Sequence, residues 1–524
     1  MKFKSVFLLI LLVLIFSCAR KGNPTGGPKD EDAPILINAI PVHRSINFND
    51  NEIRIYFDEY VKLKDIETQL IISPPLKYAP IISPIGLPSK RISLKIKDTL
   101  KANTTYVFNF GESIEDNNEG NALSNFKYIF STGEYIDSLS IKGKIKDAFL
   151  NKTDDYISVL LYEINETYND STIFKEKPTY ITNTLDSIAW KITNIKKGKY
   201  KLIALKESQN NYIYEPKGDK IAFLDTIISL PTEKDFELKL FKQTPDFKLA
   251  KPIEVSKGHF IFGFEGNGKN LKANLLDKQI KTVSYFEKEK DTIHFFYKGI
   301  DLDSTNIVFK NTSFEEEQTL KFRLKKQDSL IVMNNIKGTL FLRDTITLSS
   351  NIPLTTVDES KINLKVNDST AIPFSTKLFA NKLNVLFERK PEESYKLEIL
   401  PNAITDFFDQ TTDTLKYSFK TKKANFYGEI NLKVENVTYP IIVQLLSEKN
   451  NLIDEIYAVE KQNYIFENLV PSNYVIRVIA DTNKNKKWDT GNFINKTQPE
   501  NVYYFNKVIA LKENFYLNEV FVLE

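Results

Sequence analysis

Short runs in which every second side chain is apolar recur along this chain, and few folds accept that pattern. Ile53, Ile55 and Phe57 make one such run, and Ile92, Leu94 and Ile96 a second. Tyr106, Phe108 and Phe110 make a third, and Phe126, Tyr128 and Phe130 a fourth. Successive side chains of a strand point to opposite faces, so each run describes a strand with one apolar and one polar face. Turn-forming residues bound the runs: Asp58-Glu59, Lys97-Asp98 and Asp116-Asn117-Asn118. Antiparallel sandwiches bury one face of each strand in this way. Helical spacing is confined to a single turn near Lys62–Glu67. The expected fold class is therefore all-β, built of tandem β-sandwich domains. The 37 Phe and 25 Tyr fit that bias.

At 524 residues the chain is too long for one core, and an internal repeat divides it. Tyr106 and Tyr395, Phe130 and Phe419, and Thr132 and Thr421 each lie 289 residues apart. Ile141-Lys142-Gly143 matches Phe426-Tyr427-Gly428 at a spacing of 285. Tyr200 with Tyr474, Glu207 with Asp481, and Asn211 with Asn485 follow at 274. Ordered matches with slowly drifting spacing describe a duplicated two-domain module. The expected sandwiches are 34–135 and its repeat 336–424, then 138–242 and its repeat 425–524. A further sandwich fills 243–335. Together they are expected to form a rod or arc.

The N-terminus carries a different message. Lys2 and Lys4 precede an apolar run from Val6 to Phe16, then Ser17 and Cys18. The run is shorter than the roughly 20 residues that span a bilayer, and its build is that of a signal peptide over 1–17. Residues 18–33 (CARKGNPTGGPKDEDA) have the composition of a flexible tether. Cys18 is the only cysteine, so no internal disulfide can form. Without Lys2 and Lys4 the chain has 69 basic against 68 acidic residues, which gives no electrostatic case for nucleic acid.

Ile15-Phe16-Ser17-Cys18 resembles the bacterial lipobox, which implies lipidation at Cys18 with acyl chains of the palmitate kind. The stretches NPTGGPKDEDAP, IRIYFDEYVKLKD, LIISPPL and TTYVFNFGESIEDNNEGNALSNFKYIFSTG resemble the bacterial Ig-like domain near the N-terminus of Bacteroidota outer-membrane lipoproteins. The strands SIKGKIKD with KKGKYKLIALK, and NFYGEINL with VPSNYVIRVIA, resemble prealbumin-like or collagen-adhesin-B-type sandwiches. The resemblance implies an outer-membrane location, lipid-anchored and surface-facing. In such lipoproteins acidic residues after the lipidated cysteine mark surface export. Here Asp30-Glu31-Asp32 lies twelve or more residues beyond Cys18, further than that signal usually sits.

Two patterns are candidate sites. Asp481, Asn483, Asn485 and Asp489 stand at positions 1, 3, 5 and 9 of a calcium-loop spacing, with Lys487 able to offer a carbonyl at 7. Lys486 replaces the usual Gly at 6 and Asn492 the bidentate Glu at 12. The competing reading is an Asx-rich turn bonded to its own backbone, with at most weak calcium binding and Trp488 packed on the sandwich beneath. The first copy keeps Glu207, Gln209, Asn211 and Glu215. The second pattern is Asp-Ser/Thr followed by Ile or Leu. It resembles the O-glycosylation sequon of exported Bacteroidota proteins, with hydroxyls at Thr99, Ser138, Ser187, Thr226, Thr292, Ser329, Thr345 and Thr414. A turn that starts a strand also explains it.

His43, His259 and His294 are far apart in sequence, and no nucleophile elbow, zinc motif or phosphate loop is present. Trp190, Trp488, Tyr212, Tyr214, Tyr503 and Tyr504 are expected to pack in cores or at rims. The expected protein is not an enzyme and has no cofactor. It is a scaffold or interaction subunit for an outer-membrane protein complex such as barrel-assembly or transport machinery. The alternative is a cell-surface adhesin that captures glycan or peptide.

Overall fold

The structure is a computed structural model that describes residues 30–523, apart from 269–270, 277–279, 288–289, 300–301 and 312–313. The signal segment, Cys18 and most of the tether lie outside the described residues. The regular secondary structure of the described chain is almost entirely strand, arranged as paired sheets around separate apolar cores.

In the first sandwich one sheet runs in the order Leu36–Ile40, Glu52–Leu63, Ser89–Lys95, Ile81–Ser83, with Ile114–Asp116 on the end of Glu52–Leu63. The facing sheet is Ile71–Ser73, Thr105–Asn109, Lys127–Ser131. Ile53, Ile55, Phe57, Ile92, Leu94, Phe108 and Phe130 meet between them. A single helical turn, Ile66–Gln69, sits just beyond the expected place, because Lys62 and Leu63 still pair with Glu115 and Ile114.

The fourth sandwich repeats this order. Val332–Asn334, Ile346–Ser350, Lys382–Leu386 and Ser375–Phe379 make one sheet. Leu354–Val357 continues the line of Ile346–Ser350 and pairs with Ile404–Asp406. The other sheet contains Ile362–Val366, Ser394–Ile399 and Leu415–Lys420. The repeated residues have matching roles. The Tyr106 hydroxyl accepts the Lys101 N–H at 2.9 Å, and the Tyr395 hydroxyl accepts the Lys390 N–H at 2.8 Å. Thr132 and Thr421 donate to the carbonyls of the same two lysines, each at 2.7 Å. The start expected at 336 needs correction. Val332–Asn334 pairs with Ile346–Ser350, and Leu330 and Val332 pack on the fourth core.

The second and fifth sandwiches also share one strand order. In the second, Tyr180–Asn183, Ser158–Glu163, Gly198–Lys206 and Lys220–Phe223 face Ala189–Ile195, Leu139–Asp147 and Asp235–Leu240. In the fifth, Leu452–Ala458, Ile441–Ser447, Ser472–Ala480 and Val502–Tyr504 face Asn463–Leu469, Gly428–Glu435 and Tyr516–Val522. In each, the first and last strands pair in parallel. The paired glycines explain themselves here. A Cβ on Gly143 would lie 2.0 Å from the Phe236 carbonyl oxygen, and one on Gly428 2.8 Å from that of Phe515. The third sandwich packs Phe260, Phe262, Phe295 and Phe309 between its two sheets.

The sandwiches do not form a rod or arc. Contacts run from second to third (Lys217–Glu265, 2.6 Å), third to fourth (Phe296 with Ile352 and Phe407) and fourth to fifth (Arg343 to the Glu467 carbonyl, 2.7 Å). The fifth then packs back on the second through Phe493 and Trp488. Four sandwiches thus close on themselves, with the first docked on the second through Ile71 and a hydrogen bond of 3.0 Å from the Ile181 N–H to the Ser73 hydroxyl. The sequence signals that a second face is covered, though not what covers it. The strands SVLLYE and GKYKLIALK are apolar at consecutive positions and buried on both faces, as a sheet covered on both sides requires.

Candidate interaction surfaces and the Asx-rich loops

The loop after Ser472–Ala480 is wired by its own nitrogen donors. Asp481 is fully buried, and its two carboxylate oxygens accept the backbone N–H groups of Asn485 and Lys486 at 3.0 and 2.9 Å. Asp489 accepts from the side-chain amides of Asn483 (2.6 Å) and Asn485, and from Lys487 at 2.8 Å. Burial alone would raise the Asp489 pKa, but the Lys487 and asparagine hydrogen bonds outweigh it and leave the carboxyl below its ordinary range. The asparagines present donors to the carboxylates, the geometry of a self-bonded Asx-rich turn. Among the described residues no group of three or more His, Cys, Asp or Glu side chains converges for a cation.

The first copy has the same circuit. Gln209 and Asn211 donate to Glu215, each at 3.2 Å, and the Glu207 carboxylate accepts the Tyr212 N–H at 2.6 Å. Burial pushes the Glu207 carboxyl up. A further carboxylate, not singled out in the sequence, clamps each loop. Asp219 accepts from the Ser208 hydroxyl and N–H and from the Glu215 N–H. Glu500 accepts from the Thr482 hydroxyl and N–H and from the Asp489 N–H. Its distance from Asp489 in sequence hid it. Trp488 packs not on its own sandwich but on Phe149 of the second, ring centroids 4.5 Å apart. The Trp488 indole N–H donates to the Glu500 carbonyl at 3.1 Å.

The eight candidate hydroxyls are separate points rather than one site. Thr99, Ser138, Ser187, Thr226, Ser329 and Thr414 are exposed, while Thr292 and Thr345 are half-buried. In the triplets that open Leu139–Asp147, Ile346–Ser350 and Leu415–Lys420, the Leu or Ile is the first residue of the strand. Of the aromatics weighed in the sequence, Trp190 and Tyr214 are buried, and Tyr212, Tyr503 and Tyr504 half-buried.

Two histidines that sequence spacing kept apart meet on neighbouring strands of the third sandwich. His259 Nε2 lies 3.0 Å from His294 Nδ1, and His294 Nε2 lies 3.1 Å from Glu287. His259 also stacks on Phe296 at 4.0 Å, beside the junction with the fourth sandwich. Burial, and then the neighbouring His294, lower its pKa to about 4. The pairing depends on the register of His259–Glu265 against Thr292–Lys298, which no local motif encodes.

Apolar side chains stand in water on both edge strands of the first sandwich's larger sheet. Ile35 is 63% and Ile37 65% exposed at one edge, and Ile81 is 49% exposed at the other. Val42, Ile85 and Leu87 extend these edges and are likewise exposed.

Residues 30–132 match the family described as the bacterial Ig-like domain. No curated protein matches the chain in sequence. Among solved structures, the S-layer protein SbsC is similar at 12% identity over 92% of this chain and 68% of that one, with a TM-score of 0.16. The major pilin subunit of Bacillus cereus is similar at 9% identity over 73% and 99%, with a TM-score of 0.15. The Bacillus anthracis TIE protein is similar at 11% identity over 95% and 75%, with a TM-score of 0.14. Likeness at this level carries no functional argument.

Proposed function

We propose that this protein is a non-enzymatic outer-membrane lipoprotein, anchored through Cys18 on the cell surface, that serves as an interaction subunit for an outer-membrane protein complex. The observation that carries the reading is the pair of apolar edges on the first sandwich, which stands next to the tether. An open sheet edge offers unpaired backbone groups, and exposed Ile35 and Ile37 flanking that edge give it apolar grip. A partner in the same membrane, such as barrel-assembly or transport machinery, would meet this sandwich first. The exposed hydroxyls of the Asp-Ser/Thr triplets are taken as glycan acceptors.

The test is co-purification in mild detergent from membranes of the native host. A fixed outer-membrane partner is expected with the wild type and lost with Ile35→Glu/Ile37→Glu. Recovery of the chain alone, with a melting temperature that shifts on adding soluble glycan or peptide, would favour a capture protein instead.

A further inference from the structure

The two wired loops differ in one respect. In the first copy the acid Glu215 and its clamp Asp219 are four residues apart; in the second, Asp489 and Glu500 are eleven apart. The extra stretch, 490–499, is closed on itself by mutual backbone hydrogen bonds between Asn492 and Thr497, at 2.8 and 2.9 Å. It also carries a dense set of contacts to the second sandwich. Phe493 is 1% exposed, edge-on to Phe223 at 5.2 Å, and its N–H donates to Gln243 at 2.9 Å. Thr490 donates to the Lys242 carbonyl, Gln498 to the Phe223 carbonyl and Asp225, and Lys496 pairs with Asp170 at 3.3 Å. A Cβ on Gly491 would lie 2.5 Å from the Phe241 ring.

We propose that residues 490–499 are a clasp, added to the second copy of the module, that docks the fifth sandwich on the second and holds the chain in a closed loop. The carboxylate and asparagine circuit of 481–489 is its base. That circuit fixes a loop whose tip must arrive in register on a surface more than 240 residues away in sequence. The receiving face is apolar because it was built to be covered: Leu160, Ile203, Leu205 and Phe223 lie on the side of their sheet opposite the sandwich core, in one cluster with Phe493.

Zero-length carbodiimide cross-linking of the full chain, read by mass spectrometry, tests this. The wild type is expected to give a Lys496–Asp170 link within one molecule. The Lys220–Asp147 pair, 2.7 Å apart inside the second sandwich, reports that this sandwich is folded. Phe493→Asp is expected to lower the first link about tenfold or more and leave the second unchanged. A chain in which Thr490–Pro499 is replaced by the first copy's Pro-Lys-Gly keeps a turn that this fold already uses. Its radius of gyration in solution scattering is expected to rise. Loss of both links in Phe493→Asp would mean that the second sandwich unfolds, and the shortened chain then decides. A scattering profile unchanged in the shortened chain overturns the proposal. So does a wild-type link found only between mixed heavy- and light-isotope copies.

Discussion

The guanidinium of Arg477, in the fifth sandwich, lies 4.0 Å above the ring of Phe149, in the second. Arg477 is buried and has no carboxylate partner among its described bonds; it donates to Gln444 at 2.7 Å and to the Tyr504 hydroxyl at 3.1 Å. Tyr504 in turn donates to the Phe149 carbonyl at 2.8 Å. A desolvated cation over an aromatic face contributes about 2 kcal/mol. Phe149→Ala should therefore destabilise the closed chain by about 2 kcal/mol or more, since Trp488 loses its ring partner too. A double-mutant cycle with Arg477→Met, followed by denaturant unfolding, should show coupling of about 2 kcal/mol. Additive effects would mean that the stacking contributes nothing.

Calcium should have little to do at the 481–489 loop. Each carboxylate already accepts two or more N–H donors, and Lys487 neutralises Asp489. Calorimetry is expected to show no micromolar binding. Asp481→Ala should still cost about 2 to 4 kcal/mol of stability, because two backbone N–H groups lose a buried charged acceptor. A micromolar heat signal that disappears in this variant would make the loop a cation site.

Acid should weaken the third sandwich. His259 takes up a proton near pH 6.5 when unfolded but only near pH 4 when folded. The stability it contributes is complete above about pH 6.5 and is lost as pH falls towards 4, by up to about 3 kcal/mol. His294, Glu287 and Asp328 face this cluster, with Tyr285 stacked on His294 and Lys290 paired to Glu287. His259→Phe should flatten the drop in melting temperature between pH 7 and 5. An unchanged slope would assign the acid sensitivity elsewhere.

The two strand glycines should respond unequally. Gly143→Ala drives a methyl into the Phe236 carbonyl and the Trp190 ring, whereas Gly428→Ala meets Phe515 and a flexible Leu511 side chain at 2.8 to 3.0 Å. Overpacking typically costs about 1–3 kcal/mol, and the first variant is expected at or beyond the top of that range. Thermal melts of the two variants would show the order; equal losses would refute the close approach at Gly143.

Cys18→Ala should release the protein from the membrane fraction, since the acyl-bearing residue is the proposed anchor. Sedimentation with membranes after a salt wash would count against the lipoprotein reading.

The strand faces, the all-β class and the repeated roles of Tyr106 and Tyr395 were legible because each is a local matter. Period-two alternation records which side of a strand is dry, and a tyrosine that closes its own turn reaches only five residues. The Asx-rich composition of the 481–489 turn was legible for the same reason, but the donation of the Asn483 and Asn485 side-chain amides to Asp489 was not, since the spacing suggested bonds to the backbone. The clamp Glu500 was not, because an inserted stretch separates it from its partner. The return of the fifth sandwich to the second was decided by tertiary structure alone. Phe493 reads in sequence as one more loop aromatic, and its burial depends on Phe223 and Gln243, which lie 270 and 250 residues earlier. The meeting of His259 with His294 is likewise a consequence of strand register. The duplicated module specified each sandwich from within. Which outer faces meet was settled by surface chemistry between segments that no local pattern connects, although consecutive apolar residues in SVLLYE and GKYKLIALK, and again in IIVQLLS, showed that a second covering was required.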